Sequence, residues 1–242
     1  MPMKTAIFFI FLFSFNSHAI DLKALLAKVD DLYRSEQSVA KMEMEVVTPN
    51  WERTMEMDAW SKGTDKTLIR ILSPKKDAGV ATLKLKNEMW NYFPKINKII
   101  KVPSSMMMAS WMGSDFTNDD LVREYRYSRD YKASYVDKGD YYLITLIPND
   151  DVVTVWGKIQ VEMDKKTELP TKVFYFDEKD KKIRKMEFKE RKIIDGKNIP
   201  MVMELVPLNK EGYKTMIRYK SLSFKVKVKD SVFGRKNLQK RK

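Results

Sequence analysis

The chain has 242 residues, with 46 lysines and arginines against 33 acidic residues, no cysteine and one histidine, His18. A chain without cysteine cannot form disulfides, and it has no thiol nucleophile or thiolate ligand for zinc. His18 lies within the first nineteen residues, so a chain that has lost them contains no histidine and cannot form a histidine-based catalytic triad. No nucleophile and base pair is visible, and we predict a protein that is not an enzyme and uses no cofactor or metal.

Residues 1–19 have the pattern of a secretory signal peptide. They carry one cation, Lys4, then an apolar core from Ala6 to Phe15, and the small residues Ser17 and Ala19 near their end. This pattern predicts cleavage after Ala19 and an exported mature chain that begins at Ile20. No later stretch approaches the roughly 20 apolar residues that a membrane-spanning helix needs, so we expect no membrane span.

The basic charge excess indicates anionic partners. Without Lys4 the mature chain has 45 cations against 33 acids, a net charge of +12. Export makes lipid or glycolipid headgroups the expected partners, and no nucleic acid is expected. The alternative is that these lysines simply form the solvated faces of strands, because many of them lie at alternate strand positions.

The mature chain is predicted to open with one helix and to continue with strands. Apolar residues at helical spacing predict a helix over Asp21 to Ser35, with Asp21 as its N-cap. Period-two alternation then predicts an early run of strands, which are centred on Met42 to Val46, Met55 to Ala59, Leu68 to Leu72, Val80 to Leu85 and Met89 to Phe93.

The second half of the chain is a predicted antiparallel meander with polar turns. Its strands are expected at Tyr131 to Val136, Tyr141 to Ile147, Val152 to Met163, Thr171 to Phe176, Ile183 to Ile194, Ile199 to Val206 and Tyr213 to Val228. A change in apolar parity predicts a bulge or bend near Ser221. We expect one domain over 20–234 and a basic, disordered tail over 235–242.

The segment from Met106 to Val122 combines a methionine cluster with an acidic helix start. Methionine adapts to irregular apolar partners, so the cluster indicates either an adaptable binding surface or a buried loop. Thr117 or Asn118 is expected to cap a helix over Asp119 to Tyr125. Neighbouring helix positions do not face each other, which argues against catalysis by a carboxylate pair here.

A strand over Met89 to Pro94 is apolar on both faces. Alternation places Trp90 and Tyr92 on one face and Met89 and Phe93 on the other. Such a strand is either buried on two sides or lines a cavity on one of them. Trp60 and Trp156 add further large rings, and the pattern leaves open whether these rings form an apolar pocket or a filled core.

Several segments, in their order along the chain, resemble one exported family. They are Arg53 in an early strand, Pro74 to Gly79 before Val80 to Leu83, the run Trp90-Asn91-Tyr92-Phe93-Pro94-Lys95 with basic residues to Lys101, Gly113 to Leu121, and Leu169-Pro170. Together they resemble the outer-membrane lipoprotein-sorting proteins, which are related to the periplasmic lipoprotein carriers LolA and LolB. The Gly-Ser-Asp-Phe-Thr run at 113–117 is the most specific part of the resemblance, which covers most of the mature chain.

The resemblance implies a mainly β fold with a few helices. The sheet would be a strongly curved, incompletely closed antiparallel β-barrel, with a helical lid over an apolar cavity that holds acyl chains. The partners it implies are an acyl lipid or a lipoprotein, an inner-membrane transporter and an outer-membrane acceptor, and the location it implies is the periplasm.

We predict three groups of site residues on this basis. Arg53 and Asp115 are expected as polar latches at the cavity mouth, and Lys95, Lys98 and Lys101 as contacts to headgroups or a partner. The predicted cavity or lid residues are Trp60, Trp90, Tyr92, Met107, Trp111, Met112 and Phe116. The alternative function is an interaction or sensing module that docks on an envelope transporter or signalling protein, with lipid only modulating the contact.

Overall fold

The computed structural model describes residues 20–33, 35–122 and 126–240. The predicted signal peptide, residues 1–19, lies outside the described residues, as do 123–125 at the end of the predicted lid helix and 241–242 at the end of the tail. Within the described part of the chain, no helix is both long and apolar enough to cross a membrane.

The described residues form one antiparallel sheet of thirteen strands, which does not close into a barrel. Its spatial order is β6-β5-β4-β3-β2-β1-β13-β12-β11-β10-β9-β8-β7. The strands are β1 (Gln37–Val47), β2 (Glu52–Lys62), β3 (Lys66–Ser73), β4 (Ala81–Leu85), β5 (Glu88–Phe93), β6 (Lys98–Lys101), β7 (Tyr131–Asp137), β8 (Tyr141–Pro148), β9 (Lys158–Asp164), β10 (Leu169–Phe176), β11 (Lys182–Ile194), β12 (Lys197–Pro207) and β13 (Lys214–Ser223). The predicted fold is confirmed.

The two edge strands, β6 and β7, are consecutive in the chain. The segment that joins them therefore crosses from one edge of the curved sheet to the other. It contains a 3-10 turn (Ser104–Met106) and the helices α2 (Asn118–Val122) and α3 (Tyr127–Asp130). Trp111 and Val122 of this segment pack into one buried cluster of the sheet, while Phe116 packs into another. The described parts of this segment, 102–122 and 126–130, thus form the lid over the concave face.

The first helix, α1 (Leu22–Asp30), packs beside α3. The carboxylate of Asp21 accepts a hydrogen bond from the backbone N–H of Ala24 at 2.9 Å, which confirms the predicted N-cap. The helix ends five residues before the predicted Ser35. Its last residue, Asp30, instead accepts hydrogen bonds from the backbone N–H groups of Tyr127 and Ser128 at 2.8 and 3.0 Å.

The predicted bulge near Ser221 is confirmed. Lys41 of β1 lies opposite Ser221, whereas the next residue, Met42, lies opposite Tyr219, so β13 has one extra residue at Lys220. An extra residue in one strand bends the ladder and increases its twist. The bulge therefore contributes to the curvature at the centre of the sheet.

Two strands are shorter than their sequence pattern predicts because side chains replace ladder partners. The strand expected from Val152 begins only at Lys158, and the hydroxyl of Thr154 accepts from the backbone N–H of Trp156 at 3.2 Å. The strand expected to reach Val228 ends at Ser223, where Asp195 accepts from the N–H of Phe224 at 2.7 Å. Trp156 therefore lies in a loop.

The first half of the sheet is buried on both faces. Its concave face carries a methionine-rich cluster that includes Met44, Met55, Met57 and Met89. Its convex face carries a second cluster, which consists of Leu68, Ala81, Leu83, Trp90, Tyr92, Val228, Phe233 and Leu238. The doubly apolar strand β5 is therefore buried on two sides, which is the first of its two alternatives, with Met89 in the methionine-rich cluster and Trp90 and Tyr92 in the convex cluster.

The C-terminal segment covers the convex face and includes a short helix, α4 (Arg235–Leu238). This differs from the disordered tail expected over 235–242, because Leu238 is fully buried. The guanidinium of Arg70 also donates to the carbonyl of Asn237 at 2.5 Å and to that of Leu238 at 3.3 Å. An apolar anchor and a buried cation together hold a segment whose composition alone predicts disorder.

We expect Leu238→Ala to lower the free energy of unfolding by about 2 kcal/mol. The substitution removes a fully buried side chain from the convex cluster, although the end of the chain can relax around the change. Chemical denaturation measures the effect. Lys236, an exposed residue of the same helix, offers a control, and Lys236→Ala should change the free energy of unfolding by less than about 0.5 kcal/mol. Equal changes in the free energy of unfolding for both variants would contradict the burial of Leu238 in the convex cluster.

Candidate functional site

A cavity of about 420 Å³ lies between the concave face of the sheet and the lid. Ligand-binding pockets in proteins commonly have volumes of about 300 to 1,000 Å³. The walls of the cavity in this protein are mostly apolar and aromatic. The side chains that line it include Ala59, Trp60, Trp111, Phe116, Asp120 and Arg184.

The seven predicted cavity or lid residues separate into three groups. Trp60, Trp111 and Phe116 line the cavity, although Trp60 also contacts the convex cluster. Met107 and Met112 pack, half-buried, against the methionine-rich cluster under the lid. The remaining two, Trp90 and Tyr92, lie in the convex cluster under the C-terminal segment and not in the cavity.

Trp111 anchors the lid in the sheet. Its ring is 2% exposed, and its indole N–H donates to the hydroxyl of Thr82 on β4 at 3.1 Å. That hydroxyl in turn donates to the side chain of Asn91 on β5 at 2.7 Å. A buried tryptophan with its polar group satisfied gains apolar burial without an unpaired donor.

The Gly-Ser-Asp-Phe-Thr run forms a tight loop immediately after Trp111. The backbone N–H of Trp111 donates to the carbonyl of Phe116 at 2.8 Å, and the hydroxyl of Ser114 donates to the carbonyl of Trp111 at 2.7 Å. Met112 and Gly113 both have positive φ angles, 53° and 77°. Glycine adopts such angles readily, which explains its place in this turn.

Arg53 on β2 holds this loop from outside the cavity. Its guanidinium donates to the backbone carbonyl of Met112 and lies 3.7 Å from the carboxylate of Asp77. It also lies over the ring of Trp51, 5.5 Å from the ring centre. A Cβ atom on Gly113 would lie 3.2 Å from Nη2 of Arg53, so glycine lets the cation approach. Arg53 thus contacts the lid loop, and its role as a latch stays a prediction.

We expect Arg53→Gln to loosen the lid locally without unfolding the protein. A hydrogen bond from a charged donor contributes about 1.5 to 3 kcal/mol, so its loss should raise amide hydrogen exchange of residues 110–116 by about tenfold or more. Exchange in β12, which Arg53 does not contact, provides the internal reference. Unchanged protection of 110–116 would show that Arg53 does not hold the lid.

Asp115, the second predicted latch, is joined to the central strand β13 and not to an arginine. Its backbone N–H donates to the hydroxyl of Thr215 at 2.9 Å, and that hydroxyl donates to the Asp115 carboxylate at 2.7 Å. Burial raises the pKa of Asp115 above its ordinary value. The residue therefore positions the lid through hydrogen bonds.

A stronger contact, not predicted from the sequence, joins the lid helix α2 to the far wall of the cavity. Arg184 on β11 donates to both carboxylate oxygens of Asp120, at 2.8 and 2.6 Å. Asp120 also accepts from the backbone N–H of Thr117 at 2.8 Å, and the Thr117 hydroxyl accepts from the N–H of Asp120 at 3.2 Å. This reciprocal capping pair fulfils the predicted role of Thr117 and fixes Asp120 in place.

Two aromatic rings hold the guanidinium of Arg184. Its central carbon lies 4.4 Å from the ring centre of Trp156 and 4.2 Å from that of Tyr175. Arg184 is 5% exposed, and its Nε–H has no hydrogen-bond partner within the described part of the chain. The sequence carried one available signal for this site, because Arg184 occupies an inward position of β11 two residues before the buried Met186.

The ion pair shifts both of its pKa values towards the charged forms. Burial alone would raise the pKa of Asp120, but the hydrogen bonds and charge of Arg184 outweigh burial and lower it. Burial opposes the charge of Arg184 as well, and Asp120 nevertheless raises the pKa of the guanidinium. The neighbouring phenol of Tyr127 has its pKa raised by burial and stays neutral.

The lowered pKa of Asp120 predicts a pH dependence of lid stability. A carboxylate whose pKa is lower in the folded state stabilises that state above its unfolded pKa of about 3.9, and the contribution disappears as the pH falls through the folded value. We expect constant protection of α2 from pH 5 to 8 and a loss below about pH 4. The pKa of Asp115, which also lies in the lid, is shifted in the opposite direction. The acid dependence of hydrogen exchange in the wild type should therefore be compared with that in Asp120→Asn, which lacks only the Asp120 carboxylate. An equal acid dependence in this variant would contradict the prediction.

The three predicted contact lysines lie at the β5–β6 edge, outside the cavity. Lys95, Lys98 and Lys101 are exposed, and Lys101 pairs with Glu88. The other two form no ion pair with any residue that the structure describes. Exposed apolar side chains accompany them, namely Ile96, Ile100, Met106 and Met108, with exposures of 57%, 46%, 53% and 46%.

No cluster of acidic residues that could hold a metal ion occurs among the described residues. The described residues provide an apolar cavity, a lid with two arginine contacts, and a basic edge.

Three solved structures share the fold. A DUF1329 family protein from Desulfovibrio piger is 24% identical and has a TM-score of 0.79, over 90% of this chain and 97% of that chain. An outer membrane lipoprotein-sorting protein domain from Vibrio parahaemolyticus is 22% identical with a TM-score of 0.76, over 89% and 97% of the two chains. A LolA superfamily protein from Nitrosomonas europaea is 18% identical with a TM-score of 0.74, over 90% and 100%.

The TM-scores, all above 0.7, establish a common fold. The comparison with curated proteins gave no match. Residues 63–240 match a family model described as "Uncharacterized protein", which spans more than half of the chain. The chain therefore belongs to this protein family, and its fold is that of the LolA superfamily and of the outer-membrane lipoprotein-sorting domains.

Proposed function

We propose that this protein is a non-enzymatic periplasmic carrier that shelters the acyl chains of a lipid or a lipoprotein during transfer towards the outer membrane. The observation that carries the proposal is the apolar cavity of about 420 Å³ beneath a lid held by Arg53 and Arg184. The LolA-type fold and the predicted signal peptide with cleavage after Ala19 support it.

Burial of an acyl chain in this cavity provides enough free energy for binding. Each methylene that leaves water contributes about 0.8 kcal/mol, so ten methylenes contribute about 8 kcal/mol before the entropic costs of association. Trp60, Trp111 and Phe116 line the space that such a chain would occupy. Met107 and Met112 would adapt to its shape from under the lid, because methionine side chains repack easily.

The basic edge is the surface we assign to headgroups or membrane partners. Exposed lysines beside exposed isoleucine and methionine side chains provide both charge attraction and apolar contact to an anionic membrane surface. An inner-membrane transporter would deliver the cargo in this proposal, and an outer-membrane acceptor would receive it.

The direct test is to purify the mature protein from the periplasm without detergent and to identify extracted lipids by mass spectrometry. We expect a defined acyl species in a stoichiometric amount. Protein that contains no lipid and fails to bind fluorescent fatty-acyl probes would overturn the carrier proposal.

A protein-interaction module is the second candidate, and the edge strand β7 favours it. Six of its seven residues are exposed, including Tyr135 and Val136 at 38% and 54%. An exposed edge strand offers unpaired backbone groups to a partner strand. Pull-down from envelope extracts separates the two candidates, because a module should retain one partner stoichiometrically whether or not its cavity can hold lipid.

A further inference from the structure

The cavity contains one cation whose partner belongs to the lid. Arg184 lines the cavity wall, and its ion pair joins it to Asp120 of α2. Its Nε–H has no hydrogen-bond partner among the described residues. A ligand that enters beneath the lid therefore meets a buried guanidinium in a space that is otherwise mostly apolar.

Arg184 is held by residues outside the lid. Trp156 and Tyr175 hold its guanidinium from the loop before β9 and from β10, which do not belong to the lid. Of the two members of the ion pair, only Asp120 belongs to the lid. A movement of α2 away from the sheet would separate this ion pair and would cost the interaction free energy of Arg184 with its counter-ion.

We propose that Arg184 is an anion-binding subsite, and that the cargo carries an anionic oxygen group which replaces Asp120 at this guanidinium. This inference rests on the proposed carrier function and specifies its substrate class. A carboxylate and a phosphate monoester both match the paired donors Nη1 and Nη2 that now hold the two oxygens of Asp120. The ligand class is an acyl chain with one such group at its end.

The exchange of anions also couples the cargo to the lid. A ligand shifts a conformational equilibrium only by its difference in affinity for the two states. An anionic ligand neutralises Arg184 in the open state, whereas a neutral ligand with the same chain does not. Anionic cargo should therefore bind more tightly than its neutral ester, because it removes the electrostatic cost of opening.

The test compares one fluorescent acyl probe in two charge states. cis-Parinaric acid and its methyl ester are titrated into delipidated protein, and we expect the acid to bind at least about tenfold more tightly. Competition by palmitate and by hexadecyl phosphate then shows whether a carboxylate or a phosphate is preferred.

Two variants at the subsite should act in opposite directions. Arg184→Gln should reduce the acid-to-ester affinity ratio to about one. Asp120→Asn should raise the ratio above the wild-type value, because it removes the carboxylate that competes with the ligand. If the contact between Arg184 and Asp120 were purely structural, Asp120→Asn would not increase the affinity for the acid relative to the ester. If Arg184→Gln does not fold, the acid-to-ester affinity ratio of Asp120→Asn alone tests the anion subsite.

Arg53→Gln serves as the matched control, because it weakens the lid from outside the cavity. It should change the affinities for the acid and the ester by the same factor. Equal binding of acid and ester by the wild type, or an unchanged ratio in Arg184→Gln and Asp120→Asn, would overturn the anion subsite and leave the carrier function standing. Failure of the wild type to bind either probe would overturn both.

Discussion

Replacing Arg184 by leucine is expected to lower the free energy of unfolding by about 3 to 5 kcal/mol, because it leaves Asp120 buried without its counter-charge. The two side chains are only 6% and 19% exposed, so water cannot fully replace the lost partner. For a domain of this size, the change corresponds to a fall in melting temperature of about 10 °C. Thermal and denaturant unfolding measure it.

Two further variants identify the cause of this loss. Arg191→Leu makes the same substitution on the same strand, but its ion pair with Asp164 is long, 3.9 Å, and partly exposed. It should cost no more than about 1 kcal/mol. The double variant Arg184→Leu with Asp120→Asn should recover much of the stability, because no buried charge is left unpaired. A double variant as unstable as Arg184→Leu would contradict the electrostatic explanation.

Replacing Ala59 by tryptophan should abolish acyl-chain binding, with at least about a hundredfold loss of affinity. Ala59 lines the cavity on β2, and an indole ring there would occupy the space proposed for the chain. Fluorescent fatty-acyl probes measure the loss. The fold should persist, because the ring enters an existing cavity and not a closely packed core.

A matched control is available at the edge of the sheet. Ala133 is exposed on β7, so Ala133→Trp introduces the same ring far from the cavity and should leave acyl binding unchanged. Equal affinities in Ala59→Trp and the wild type would show that acyl chains bind somewhere other than this cavity.

Trp90 and Trp111, which were both predicted as cavity or lid residues, have different positions in the structure. Trp111 lines the cavity and anchors the lid, whereas Trp90 packs under the C-terminal segment. Of these two, only Trp111 can contact cargo in the cavity. Loss of Trp90 should act through stability of the convex cluster.

The sequence by itself determined most of the local structure. Period-two alternation, turn residues, the Asp21 cap and the parity change near Ser221 depend on neighbours in the chain, and each predicted its feature. The Gly-Ser-Asp-Phe-Thr run also indicated the fold family, because its tight loop requires particular residues in order.

Only the tertiary structure decided which faces and partners those elements meet. Alternation showed that β5 is apolar on both faces, but Trp90 and Tyr92 face the C-terminal segment because Phe233 and Leu238 return there from far along the chain. Arg184 and Asp120 are 64 residues apart, and no local pattern relates them. Such contacts arise because the lid packs over the concave face of the curved sheet, which brings together residues that are far apart in the chain.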